Sequence, residues 1–171
     1  MNVEWPQLCE NTSLADKKDL VRWAAEIDTV LSLNPNSANG HWALGQISIY
    51  SGKPLAAIPP LERAMRLDPG LARTYIHFLG LAHLVAGSYE TAASLFRERI
   101  RLMPETDFSR AFLAAALGHL GEVDEARQIW AEIRAVNPKY SFAEHVGRLP
   151  FQNRADVARI AKGLDMAGLP Q

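Results

Sequence analysis

Four prolines, Pro35, Pro69, Pro104 and Pro138, recur at intervals of 34, 35 and 34 residues. Proline lacks a backbone donor and disfavours helical geometry in the residue before it, so each of the four marks a place where a helix should stop. Between two such stops there is room for a pair of helices of roughly three turns each and their turns. A pair of that size cannot bury its own apolar face. Units of this period become stable only by stacking on one another, so the ladder predicts an all-α solenoid.

The intervals read as aligned frames. The first holds Leu44, Gly45, Gly52, Ala57, Leu61, Ala64 and Pro69; the second holds Leu79, Gly80, Gly87, Ala92, Phe96 and Pro104; the third holds Leu113, Ala114, Gly121, Ala126, Trp130 and Pro138. Gly45 and Gly80 are expected where a paired helix crosses close to the backbone, with Ala114 as the next-smallest choice. Gly52, Gly87 and Gly121 follow runs of helical apolar spacing, where a left-handed cap favours a residue without Cβ. Ala57, Ala92 and Ala126 let helices approach, and Leu61, Phe96 and Trp130 fill the seam. This pattern resembles the tetratricopeptide repeat (TPR), with Arg99 and Ile133 as departures at its last small position. The resemblance implies an all-α, TPR-type α-α superhelix, a right-handed solenoid of antiparallel helix pairs with a C-terminal capping helix.

Helices are expected near 14–33, 38–51, 54–67, 71–86, 89–102, 107–120 and 123–136, with shorter ones near 140–147 and 154–167. Ser13 and Asp16 read as an N-cap and acidic first turn ahead of Leu20, Trp23, Ala24, Ile27, Val30 and Leu31. Pro59 and Pro60 fall inside a helical span, which predicts a kink or a true start only near Ile58. The organisation is then an irregular segment over 1–12, a partial first unit over 13–37, three repeats over 38–70, 71–105 and 106–138, and capping helices over 139–171.

Of the 171 residues 48% are hydrophobic and 22% charged, with a formal net charge of −1, as for a packed domain and unlike a disordered tail. Near-neutrality argues against nucleic acid as the partner, since phosphate binding needs a concentrated basic surface. Arg97, Arg99 and Arg101, with Glu98 among them, read as a solvated outer face. The single Cys9 excludes an internal disulfide and fits a reducing compartment. No stretch reads as a signal peptide or membrane span, which places the chain in cytoplasm or in the cytoplasmic part of something larger.

Segments 31–69, 80–104 and 115–138 resemble the C-terminal TPR region of bacterial class III adenylate cyclases, found especially in rhizobia and their relatives, and also behind some winged-helix activators. The tail RLPFQNRADVARIAKGLDMAGLP, with its Leu149-Pro150-Phe151 segment and terminal Gly168-Leu169-Pro170, carries the most specific part of that resemblance. It implies a regulatory or assembly region; the ATP-binding and metal-binding residues of those proteins lie in a domain absent from this sequence.

Nothing in the sequence reads as an active site, a metal centre or a cofactor site. His77 and His83 are six apart and fall on different helix faces. His41, His77 and His119 occupy comparable places on first helices and are expected to line one groove. Ser88, Ser94 and Ser109 lack a nucleophile elbow. Glu122, Asp124 and Glu125 open a helix, where they complement its dipole. The functional surface is therefore expected to be the concave face lined by the first helix of each pair: Asn39, Trp42, Gln46, Ile49 and Tyr50; Thr74, His77, Phe78, Leu81 and Val85; Phe108, Ala111, Phe112, Ala115 and His119, continued by Phe142 and His145. This face does not show the clamp pattern of Lys, Arg and Asn with which some TPRs grip a chaperone's terminal carboxylate. It is expected to bind a protein, peptide or helix, with Trp42 and Phe112 as contacts dispensable for stability. An aromatic stripe also invites cover by the protein itself, either by residues 1–12 through Trp5, Leu8 and Cys9 or by a second copy. The chain is read as noncatalytic, the alternative being a free-standing scaffold or oligomerisation domain. Terminal helix 154–167 is expected to cap the last repeat.

Overall fold

Where the four prolines interrupt the chain, the backbone repeats one local geometry. Asp68, Met103 and Asn137 each precede a proline and adopt φ between −141° and −136° with ψ between 83° and 91°, outside helical space. At Asn34 and Asn137 the side-chain amide oxygen accepts from the backbone N–H two residues on, at 3.1 and 3.2 Å. The computed structural model describes residues 17–170. Between these stops it places nine α-helices among the described residues: α1 (Lys17–Leu33), α2 (Ala38–Tyr50), α3 (Pro54–Leu67), α4 (Ala72–Ala86), α5 (Tyr89–Leu102), α6 (Phe108–Leu120), α7 (Val123–Val136), α8 (Phe142–Gly147) and α9 (Arg154–Met166). The N-cap expected at Ser13, and the segment 1–12, lie outside the described residues.

Short turns fold α2 onto α3, α4 onto α5 and α6 onto α7. Successive pairs stack through α3 with α4 and α5 with α6, and α1 packs on α2. This is an all-α, TPR-type superhelix. The small residues of the frames hold the pairs together as their spacing implied. A Cβ on Gly45 would lie 2.5 Å from Leu61 Cγ, and one on Gly80 would lie 2.8 Å from the Phe96 ring. Leu61 and Phe96 are fully buried in return. Gly87 and Gly121 close α4 and α6 at φ 88° and 78°. In both, the next residue's N–H reaches back to the last turn, Ser88 to the His83 carbonyl at 2.9 Å and Glu122 to Leu117 at 3.0 Å.

One expectation needs correction and a second is extended. Helix α3 starts at Pro54 and runs through Pro59 and Pro60 as one element; it does not wait for Ile58. The carbonyls that lose their donors to these prolines belong to Leu55 and Ala56, both exposed residues in the first turn of the helix. The second concerns the C-terminal region. Helix α9 does pack on α6 of the last repeat, but it also contacts α4. The segment before it crosses to the first repeat, where Gln152 N–H donates to the Tyr50 carbonyl at 2.9 Å and the Phe151 ring meets Tyr50 edge-on at 5.1 Å. The terminal region is therefore a strap across the repeats as well as a cap at their end.

On the outer face, Arg97 bridges to Glu125 at 2.9 Å and Glu122 at 3.2 Å, and Arg101 pairs with Glu98 at 2.7 Å. All five side chains are well exposed, so these pairs contribute little to stability. Arg99 differs: it is half-buried, and its Nε is enclosed without a partner.

The glycine positions separate two costs. Nothing lies within 4 Å of a Cβ on Gly121, so Gly121→Ala should lose about 1 kcal/mol from backbone conformation alone. Gly80→Leu should lose about 1–3 kcal/mol by forcing the Phe96 ring aside. Urea unfolding of the two variants measures both.

Candidate functional site

The first helices of the repeats line one side of the superhelix, and the C-terminal strap divides that side in two. Toward the C-terminal ends of α4 and α6, α9 lies directly against them. Toward their N-terminal ends a cavity of about 500 Å3 remains open. Its inner wall is Tyr50 from α2, His77, Phe78 and Leu81 from α4, and Phe108 from α6. Its outer wall comes from the turn after α7 and from α8: Asn137, Lys139, Tyr140 and Ser141, then Glu144, His145, Arg148 and Leu149.

Local structure explains how α8 comes to sit there. Asn137 Nδ2 donates to Asp107 Oδ2 at 2.8 Å and ties the turn after α7 to the start of α6. Ser141 caps α8 by accepting from Glu144 N–H. The His145 ring then stacks on Phe108 with centroids 4.0 Å apart and 21° between planes, and lies 5.3 Å from Phe112. Its Nδ1 is 2.9 Å from the Tyr140 hydroxyl. Across the cavity, His77 packs against Phe78, Phe96 and Phe112, and its Nδ1 lies 2.9 Å from Ser109 Oγ.

Both imidazoles are uncharged at neutral pH. Burial, with nearby Arg99 and His145, holds His77 down to about 3. Burial holds His145 down to about 4, with Arg148 adding to the effect and Asp107 opposing it. Burial also pushes the Tyr50 and Tyr140 hydroxyls above their ordinary range. The cavity is therefore lined by aromatic rings and uncharged imidazoles at neutral pH, with its charges confined to Lys139, Glu144 and Arg148. It suits an apolar or aromatic group from outside. Among the described residues no three of His, Cys, Asp and Glu gather to hold a metal, and no helix is long and apolar enough to cross a membrane.

The residues expected on the concave face divide by place, and two of those at the cavity, Tyr50 and Leu81, are themselves buried. Tyr50, His77, Phe78, Leu81 and Phe108 meet at the cavity. Asn39, Trp42, Gln46 and Thr74 stay half-buried, with Trp42 set edge-on against Phe78 at 5.9 Å. Ile49, Val85, Ala111, Phe112, Ala115 and Phe142 are core, packed too deeply to offer surface. Phe112 in particular is fully buried between His77, Phe96 and His145, which corrects the expectation that it is dispensable for stability. The three histidines do not share a groove. His41 Nε2 bonds the Pro35 carbonyl, His77 sits at the cavity, and His119 stacks on Tyr89 and bonds the Arg159 carbonyl beneath α9. Of the outer wall, His145 was expected; Lys139, Tyr140 and Leu149 fall outside the repeat frame and were not. The apolar run Leu149-Pro150-Phe151, with no frame to bury it, was the available signal.

Among known proteins, no family model matches the chain and no curated protein matches its sequence. Two crystal structures of MamA, a TPR-containing protein, share its fold. One aligns with a TM-score of 0.63 over 89% of this chain and 92% of MamA's, at 21% identity. The other gives 0.64 over 89% and 85%, at 20% identity. Identity this low makes it a likeness of fold alone.

Two measurements test the site's packing. Phe112→Ala should cost about 3–5 kcal/mol and lower the melting temperature sharply, whereas Phe108→Ala, at a ring 47% exposed, should cost far less. The two histidines also set a pH dependence. Unfolded imidazoles take up protons near 6.5 and the folded ones only near 3 and 4. Their contribution is thus fully present above 6.5 and is lost as pH falls toward those lower values, each histidine steepening the decline by about 1.4 kcal/mol per pH unit. His145→Phe should flatten stability measured between pH 6 and pH 4; an unchanged slope would exclude His145 as a source.

Proposed function

We propose that this chain is a noncatalytic protein-interaction module, and that its concave cavity receives an apolar or aromatic group of a protein partner. The single observation that carries the reading is the half-open aromatic cavity between α4, α6 and α8, in which Phe108 stays 47% exposed although every ring around it is packed. Large rings that remain accessible in a rigid pocket are the usual anchors of protein recognition. The near-neutral charge of the chain favours protein over nucleic acid as the partner.

The tail sequence 148–170 and the repeat segments support a finer reading: a regulatory or assembly region of a bacterial, cytoplasmic adenylate cyclase-like protein, with a class III cyclase polypeptide as the partner or parent. The tested outcome is capture. The tagged chain, with Phe78→Ala and Phe108→Ala versions beside it, is used to pull down partners from a bacterial lysate and to bind a purified class III cyclase catalytic domain. The expected result is cyclase binding that falls roughly tenfold in each variant, as for loss of an aromatic anchor. Equal recovery by all three would remove the cavity from the function. Retention of a different partner, or light scattering that shows only self-association, would move the chain to the class of free-standing scaffolds.

A further inference from the structure

Helix α9 has the layout of a recognition helix seated in a groove. Its buried residues are Asp156, Ile160, Gly163 and Leu164, with Ala167 just past its end, spacings of four, three, one and three that make a single stripe. Ile160, Leu164 and Ala167 are fully buried. The outward side carries Arg154, Lys162 and Asp165. The centre of the contact is a crossing of two glycines. A Cβ on Gly163 would overlap the Ala115 carbonyl, and a Cβ on Gly118 would overlap the Gly163 carbonyl, so the backbones of α9 and α6 touch. Only a helix with glycine at this point fits the seat.

Three side-chain hydrogen bonds join α9 to the repeats. The Arg159 guanidinium donates to the Val85 carbonyl in the last turn of α4, where the helix dipole favours a cation. Arg127 donates to the Ala167 carbonyl at 3.1 Å, and His119 Nε2 meets the Arg159 carbonyl at 2.8 Å. At the entry end, beside the Phe151 and Gln152 contacts with Tyr50, two polar side-chain atoms lack partners. Gln152 Nε2 and Asp156 Oδ2 are enclosed without partners, and Asp156 is only 5% exposed. Enclosed polar atoms without partners disfavour the seated state. The seams of the repeats at Gly45 and Leu61 and at Gly80 and Phe96 do not involve α9 at all.

We infer that the groove formed by α4 and α6 is a helix-docking site held in cis by α9, and that its partner is an amphipathic helix with glycine at the crossing, apolar residues three before and one after it, and arginine four before it. Such a helix enters by exchange with α9. This rests on the chain being an interaction module, but it concerns a surface separate from the aromatic cavity.

The test uses the full chain and a fluorescein-labelled peptide of residues 150–170, titrated by anisotropy, with circular dichroism and thermal melts on each protein. Gly163→Leu in the chain should keep its own helix off the seat. The peptide should then bind that variant roughly tenfold more tightly than the unsubstituted chain, because the cis competitor is gone. A peptide carrying Gly163→Leu should bind neither. Arg159→Ala in the chain, a milder change, should remain folded and raise peptide binding to a lesser degree. The inference is overturned if either variant stays folded and gains no affinity for the peptide. It is equally overturned if Gly163→Leu abolishes the cooperative melt, since α9 would then be inseparable from the fold. Cyclase or other partner capture that still depends on Phe78 and Phe108 would leave the cavity reading standing in either case.

Discussion

Close approach of helices at small residues is the constraint from which the rest of the structure follows. At Gly45 and Gly80 the first helix of a pair comes so near its mate that Leu61 and Phe96 occupy the space a side chain would need. The seam removes apolar surface from water on one side of every first helix and leaves the other side facing the concave surface. The crossing of Gly118 and Gly163 applies the same device a second time, now between the superhelix and its own tail. Where no small residue is available the packing changes character, as at Arg99, whose half-buried guanidinium has an enclosed Nε without a partner.

The helices were legible because their signals are local and repeated. Proline at a fixed period, glycine after each apolar run and a bulky residue four positions after each small alanine all act within one unit, and each repeats three times or nearly so. Helix starts and ends therefore fell within a few residues of expectation. The continuity of α3 through Pro59 and Pro60 was harder to foresee, because the residues whose carbonyls lose their donors, Leu55 and Ala56, lie on the exposed side of the helix, a tertiary property.

The site was less legible for a related reason. A repeat frame says which face a residue is on, but not how far the neighbouring element covers that face. Phe108 and Phe112 are one helical turn apart on α6, yet Phe108 opens to the cavity and Phe112 is fully enclosed: His145 of α8 meets both rings, but only Phe112 is also packed by His77 and Phe96. The position of α8 rests on contacts such as Asn137 with Asp107 and His145 with Phe108, which join residues about thirty to forty apart and leave no periodic trace. The same holds for the strap, whose meeting with Tyr50 spans the whole length of the repeats.

That strap has a bearing on how the architecture can vary. An open solenoid tolerates the insertion of a further repeat, since each unit touches only its neighbours. Here the chain leaves α8 beside the third repeat, reaches Tyr50 of the first within residues 148–152, and returns to Gly118 of the third through α9. Five residues extend no further than about 18 Å. A fourth repeat placed between them would put the first beyond reach, leave Phe151 without its ring partner and set Arg159 opposite a different helix end. The tail thus ties the first repeat to the third at one fixed spacing.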